Sequence, residues 1–369
     1  MLIYESQKFV RINILPYFCK QKIIRPDIRL SYMHRRFLSI LLICILSVPL
    51  FSQPRSRNQI NIAPSADSLN YYASIMFNGQ NDIVRYEANE NFRRILIETL
   101  YEEDAIHYNF DTVRVLSAQG PKDHYFKIYT WCIPLQSGKY DNFGIVLVKS
   151  KKTGTYKQYE LRDVSTEVEN PEKHILRKGV WYGAVYYQFI ETKYQGQKVY
   201  TLIGWNGWDA LTQQKIIEIL TFTSRDEPVF GKIMFRGRKY FGKKRLIFEY
   251  GDQIVMKVRY ENHDYRILSK KESKKRSRRG NQINNNEAMQ AEKDRIKEKI
   301  KNEPMIVFDE LVPMRPELEG QYQFYYPLSA EGNAFYFDNG RWNFRKLDLS
   351  KNFENNDKEI NVGLKPKDD

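Results

Sequence analysis

The chemistry that stands out in this chain is concentrated in one short run, Gly204-Trp205-Asn206-Gly207-Trp208-Asp209. Two indoles beside an amide and a carboxylate can stack on a sugar or base ring while the polar groups anchor its edge. Trp205, Asn206, Trp208 and Asp209 are therefore the candidate ligand-binding residues. A competing reading is a corner between a strand and a helix. There the two glycines and Asn206 permit positive φ, the indoles pack on the core, and Asp209 supports the helix start.

A second candidate is the run Lys270, Lys271, Lys274, Lys275, Arg276, Arg278 and Arg279, set among serines with no apolar residue to bury. Such a run is solvated and can attach to phosphates, in a polyanion or on an anionic membrane surface. Its plainer reading is a solubilising insertion between two folded pieces.

Nothing selects a catalytic set. No Gly-x-Ser-x-Gly elbow, Walker loop or dinucleotide-binding glycine pattern occurs. His107, His124, His174 and His263 are not at metal-ligand spacing, so neither a metal nor a cofactor is expected. Glu102-Glu103-Asp104, Asp309-Glu310, Glu317 and Glu319 could each supply half of a carboxylate pair, but each reads as a solvated surface group. Cys132 sits in an aromatic, β-rich stretch and reads as a buried, inert thiol.

The elements that must position these groups change period along the chain. Leu69, Tyr72, Ile75 and Met76 follow Ser65 at helical spacing, and a second amphipathic helix is expected over 82–103. Strands are expected over 112–116, 125–133, 143–148, 155–161, 181–192, 197–205, 231–235, 245–250 and 254–260, the last two joined at Gly251-Asp252. Residues 212–220 read as a compact helix inserted in the sheet, 287–301 as a charged surface helix and 305–308 as a short strand. Lys151-Lys152-Thr153-Gly154 reads as a hairpin turn, Lys193-Tyr194-Gln195-Gly196 joins the strand pair 181–192 and 197–205, and Asn339-Gly340 between aromatic runs is the strongest hairpin signal. Short links between successive strands imply antiparallel pairing. The expected class is α+β, with two leading helices followed by a mainly antiparallel sheet with an inserted helix.

The formal charge of +14 is unevenly placed: residues 1–52 contribute +6 and residues 266–280 contribute +7, which leaves the remainder at +1. Nucleic acid is thus a poor expectation for the folded body. Met33-His34-Arg35-Arg36 ahead of the apolar run 37–50 matches a secretory signal peptide over 33–52, with cleavage after Ser52. An uncleaved anchor is the alternative, although the run is short of the ~20 residues a membrane span needs. Residues 1–32 carry two prolines and six basic residues, do not fit ahead of such a signal, and are expected to be a non-native upstream extension. A linker over 53–63, one α+β domain over 64–350 with its basic loop and charged helix at 269–303, and a polar tail over 351–369 complete the expected organisation.

The stretch 200–209, Pro228-Val229-Phe230-Gly231, Val307-Phe308-Asp309 and Leu318-Glu319-Gly320-Gln321-Tyr322 resembles an uncharacterised family of exported proteins from Gram-negative bacteria. The resemblance strengthens periplasmic placement and supplies no activity; after cleavage of the signal peptide a periplasmic or outer-membrane-associated location is expected. The expected function is a non-catalytic exported binding or envelope-associated protein, its partner an envelope polysaccharide or an anionic surface. The rival expectation is a hydrolase of envelope glycans or peptides using dispersed carboxylates.

Overall fold

Leu69, Ala73 and Met76 recur every three or four residues and meet Ala88, Phe92 and Leu96 of the following helix, so two amphipathic stripes bury each other. The computed structural model describes residues 57–102, 104–108, 110–268 and 298–348, all within the unit 55–369. Helix α1 is Arg57–Asn78 and α2 is Asp82–Thr99. The apolar spacing beginning at Leu69 lies within α1, and the helix itself starts at Arg57, inside the stretch read as a linker. Asn81 caps α2, its side chain accepting the Val84 N–H at 3.0 Å.

Fifteen strands follow among the described residues. The first sheet holds β1 Ser117–Gln119, β2 Phe126–Pro134, β3 Tyr140–Lys149, β4 Tyr156–Asp163 and β5 Val180–Trp181, in that order. The second runs β11 (Leu246–Gly251), β8 (Thr212–Phe222), β7 (Gln197–Asn206), β6 (Val185–Tyr194), with β9 (Pro228–Phe230) also on β8. The third runs β10 (Phe235–Arg236), β15 (Arg341–Asp348), β14 (Tyr325–Asp338), β13 (Glu298–Pro313), β12 (Val258–Leu268). Pairing is antiparallel except at the two-residue contacts β4–β5 and β10–β15.

Side-chain parity stacks these sheets in layers. In β2, Tyr129, Trp131 and Ile133 face the helices while Phe126 and Ile128 face the second sheet. In β8, Ile216 and Leu220 share a core with the first sheet, whereas Ile217 and Ile219 share one with Ile306, Phe308, Phe335 and Trp342 of the third. Buried polar ties cross the layers. Trp131 Nε1 donates to Asn89 Oδ1 at 2.7 Å, the Tyr186 N–H to Thr130 Oγ1 at 3.0 Å, and Trp342 Nε1 to Thr201 Oγ1 at 3.0 Å. Each satisfies a polar group that would otherwise be stranded in a dry core.

This layering corrects several expectations. Residues 212–220 form a central strand, not an inserted helix. Both faces of β8 are covered, so the polar–apolar alternation of a half-exposed strand is erased and Ile216, Ile217, Ile219 and Leu220 mimic a helical stripe. Residues 112–116 make turns leading into β1, held by hydrogen bonds from Val113 N to Phe110 O and from Leu116 N to Val113 O. The stretch 231–235 is mostly a link, because Gly231 at φ 98° ends β9 before β10 begins at Phe235. Strands β11 and β12 do not pair across Gly251-Asp252; they belong to different sheets. From Glu298 onward the expected charged helix is strand β13, whose 16 residues also absorb the short strand expected at 305–308. Three expected turns are in place: Gly154 at φ 74°, Gln195-Gly196 at 49° and 78°, and Asn339-Gly340 at 49° and 73°. No helix among the described residues is long and apolar enough to cross a membrane.

Candidate functional site: an aromatic cleft beside Trp208

Strand β7 ends at Asn206 and β8 begins at Thr212, so the Trp-rich run is the corner between two neighbouring strands of the middle sheet. Its glycines serve close approach rather than positive φ. A Cβ on Gly204 would lie 2.7 Å from the Tyr186 ring, and one on Gly207 would lie 2.1 Å from the Tyr140 ring. The left-handed residue is Trp208 itself, at φ 49°. For a bulky side chain that backbone costs on the order of 1–2 kcal/mol.

Two polar side chains hold Trp208 there. Asn206, 1% exposed, donates to Gly183 O at 2.9 Å and accepts the Trp208 N–H on Oδ1 at 2.8 Å. Asp209 Oδ1 accepts the N–H groups of Leu211 and Thr212, both at 2.8 Å. It therefore closes the turn into a strand, not into a helix. The two indoles part company. Trp205 Nε1 donates to Gln213 Oε1 at 2.8 Å, and its ring stands edge-on to Tyr140 at 5.2 Å. Trp208 stacks on Tyr182, with ring centres 6.4 Å apart and planes 16° from parallel.

Trp208 lines a cleft of about 610 Å³, a size suited to a small organic ligand. Trp208, Tyr182 and Tyr322 supply its aromatic surface, and Gln214, Glu249, Glu172 and Lys243 its polar groups. One network fixes the floor: Tyr182 Oη donates to Gln214 Oε1 at 2.7 Å, and Gln214 Nε2 donates to Glu249 Oε2 at 3.0 Å. Glu249 Oε1 lies 3.0 Å from the Thr212 hydroxyl, so both carboxylate oxygens have donors. Burial pushes the Tyr182 phenol well above its usual range. The Tyr322 phenol is raised too, first by burial and then by Tyr325, Glu249 and Glu172. Both remain neutral hydrogen-bonding hydroxyls at physiological pH.

The opposite wall is the short helix Pro171–Lys173 with its flanking loop. Glu172 Oε1 accepts the Ile247 N–H at 3.0 Å, and Oε2 pairs with Lys243. Behind the wall lies Arg245, fully buried together with Glu218. Arg245 Nε donates to Glu218 Oε2 at 2.6 Å, and its other nitrogens donate to the carbonyls of Pro171, His174 and Phe230. Burial pushes the Glu218 carboxyl up while Arg245 pulls it down. Asp163 holds the remaining side, accepting the Ser165 and Gly183 N–H groups at 2.8 and 2.9 Å. A Cβ on Gly183 would fall 1.9 Å from Asp163 Oδ2, so that contact requires glycine.

Of the four candidate ligand-binding residues, only Trp208 lines the cleft. Asn206 and Asp209 brace its backbone, and Trp205 points its ring at Tyr140 and Gln213. The basic residues Lys270, Lys271, Lys274, Lys275, Arg276, Arg278 and Arg279 lie outside the described residues, as do the expected leader and tail. Tyr182, Gln214, Glu249, Glu172, Lys243 and Tyr322 escaped sequence reasoning because they come from four separate stretches of chain. The one local hint was Gln213-Gln214, polar residues at the start of an otherwise apolar strand.

Elsewhere, burial pushes the Cys132 thiol up to about 12, which leaves it protonated and inert. His107 and His124, 17 positions apart in the chain, meet edge to face at 4.3 Å. Among the described residues, no group of three or more His, Cys, Asp or Glu side chains could hold a metal ion. Compared with family models, curated proteins and solved structures, the chain matches none.

Proposed function

We propose that this is an exported, non-catalytic binding protein whose cleft takes an uncharged, sugar-like ring. The observation that carries the reading is Trp208, an indole held in a left-handed backbone by Asn206 and laid against Tyr182 at the edge of a 610 Å³ cleft. A bulky residue persists in that conformation only where its surroundings enforce it, and such positions gather at ligand sites. Charge favours a neutral ligand, because Glu172 and Glu249 are balanced by Lys173 and Lys243 around the same cleft. Both oxygens of Glu249 and both of Glu172 are engaged by internal donors, which suits a recognition surface better than a proton-transfer pair.

Export rests on the apolar run 37–50 behind Arg35 and Arg36 and is part of the same proposal. Titration calorimetry of the purified chain with neutral monosaccharides and oligosaccharides tests the binding reading. Trp208→Ala is expected to weaken binding about tenfold or more, while Trp205→Ala leaves it intact. Equal loss in both variants, or binding indifferent to Trp208, would overturn the assignment.

A second reading follows from Glu172 and Glu249 lining one cleft: hydrolysis of an envelope glycan. It predicts release of reducing ends that Glu249→Gln abolishes. Ligand binding without release at any pH between 4 and 8 would exclude it.

A further inference from the structure

The cleft does not end at Glu172 and Lys243. A second hollow of about 190 Å³ lies against the same two side chains and Ile247, so the Glu172–Lys243 ion pair stands between two adjoining spaces as their shared partition. The second hollow repeats the composition of the first. Phe248, half-buried against the core residue Phe308 with ring centres 5.0 Å apart, gives it an apolar side, and Asp309, Glu310 and Lys239 offer polar groups. Strands β11 and β13, from different sheets, meet there, so the hollow is built by the layering itself.

We infer that the two hollows are successive subsites of one groove, and that the ligand is a linear, uncharged oligosaccharide rather than a single ring. This rests on the binding reading above and deepens it. A single ring would use the Trp208–Tyr182 side alone and leave the second hollow without a role. A chain crossing the partition can exchange hydrogen bonds with Glu172 and Lys243, whose partly exposed side chains already meet at that point. At the far end Glu310 is already paired with Lys346 and Glu172 with Lys243, and Asp309 stands against Lys239, so among the described residues no surplus cation is left to draw an acidic sugar.

The test is calorimetry of the purified full chain with glucose and N-acetylglucosamine oligomers of one, two, four and six rings, alongside a uronic-acid oligomer of matching length. Affinity is expected to rise about tenfold or more between one ring and four, and the uronic-acid series to bind more weakly at every length. Asp309→Asn keeps the shape that accepts the Lys257 N–H at 2.7 Å, and Lys239→Ala changes an exposed side chain, so both variants should fold. Each is expected to cut the advantage of the long oligomer by about three- to tenfold. Trp208-dependent binding that is equally strong for one ring and six would overturn the extended groove while leaving the binding reading intact. No binding at any length would sink both.

Discussion

Trp208 shows how much of a site is decided at a single backbone angle. Its φ of 49° suits glycine, yet the chain places its bulkiest side chain there and spends Asn206 to hold it. The strain predicts an unusual order of stabilities: Trp208→Gly should be more stable than Trp208→Ala by about 0.5–1 kcal/mol in urea titrations, although both lose the ring. The reverse order would mean that the backbone there is relaxed. His124 offers a second residue-scale test. Burial first, then His107 and Lys127, lower its basicity, with Asp123 pulling the other way. The unfolded chain takes up that proton near pH 6.5 and the folded chain only at lower pH, so unfolding is favoured by acid in the interval between. Stability is therefore expected to be full above about pH 6.5 and to decline as pH falls through it. His124→Asn, which tolerates the left-handed backbone at φ 52°, should flatten that decline. The Trp-rich run was legible as distinctive chemistry, but which indole faced a cavity was not, since that depends on Tyr140 and Tyr182 from distant parts of the chain.

At the scale of elements, the cleft wall depends on one buried cation. Arg245 ties the carbonyls of Pro171, His174 and Phe230 to Glu218, fixing the 171–174 segment against β8 and β11. Arg245→Met would leave Glu218 buried and unpaired, at a cost of about 3–5 kcal/mol by chemical denaturation. Arg245→Met combined with Glu218→Leu should recover part of that loss. It should not restore ligand affinity, because the three carbonyls still lack their donor. Hairpins were readable in advance, since Gly154, Gln195-Gly196 and Asn339-Gly340 carry their turn chemistry locally. Strand β8 was not. Its periodicity reports burial, and burial on both sides looks the same for a strand as for a helix. The two leading helices and the mainly antiparallel pairing survive that error, because neither depends on the inserted element, whereas the one sheet expected is divided into three.

On the scale of the whole molecule, the middle sheet belongs to two cores at once. Even-numbered residues of β8 pack towards the first sheet and odd-numbered ones towards the third, so a substitution on either parity is felt in a different layer. Ile216→Val and Ile217→Val are each expected to cost about 0.5–1.5 kcal/mol, with additive effects in the double variant because they act in separate clusters. Strong non-additivity would show that the layers communicate through the sheet. A wall common to two rooms also means that neither can be demolished alone. Calorimetric melting of the described layers should appear as one event, and a protease able to nick the chain within β7 or β8 should leave no resistant fragment on either side.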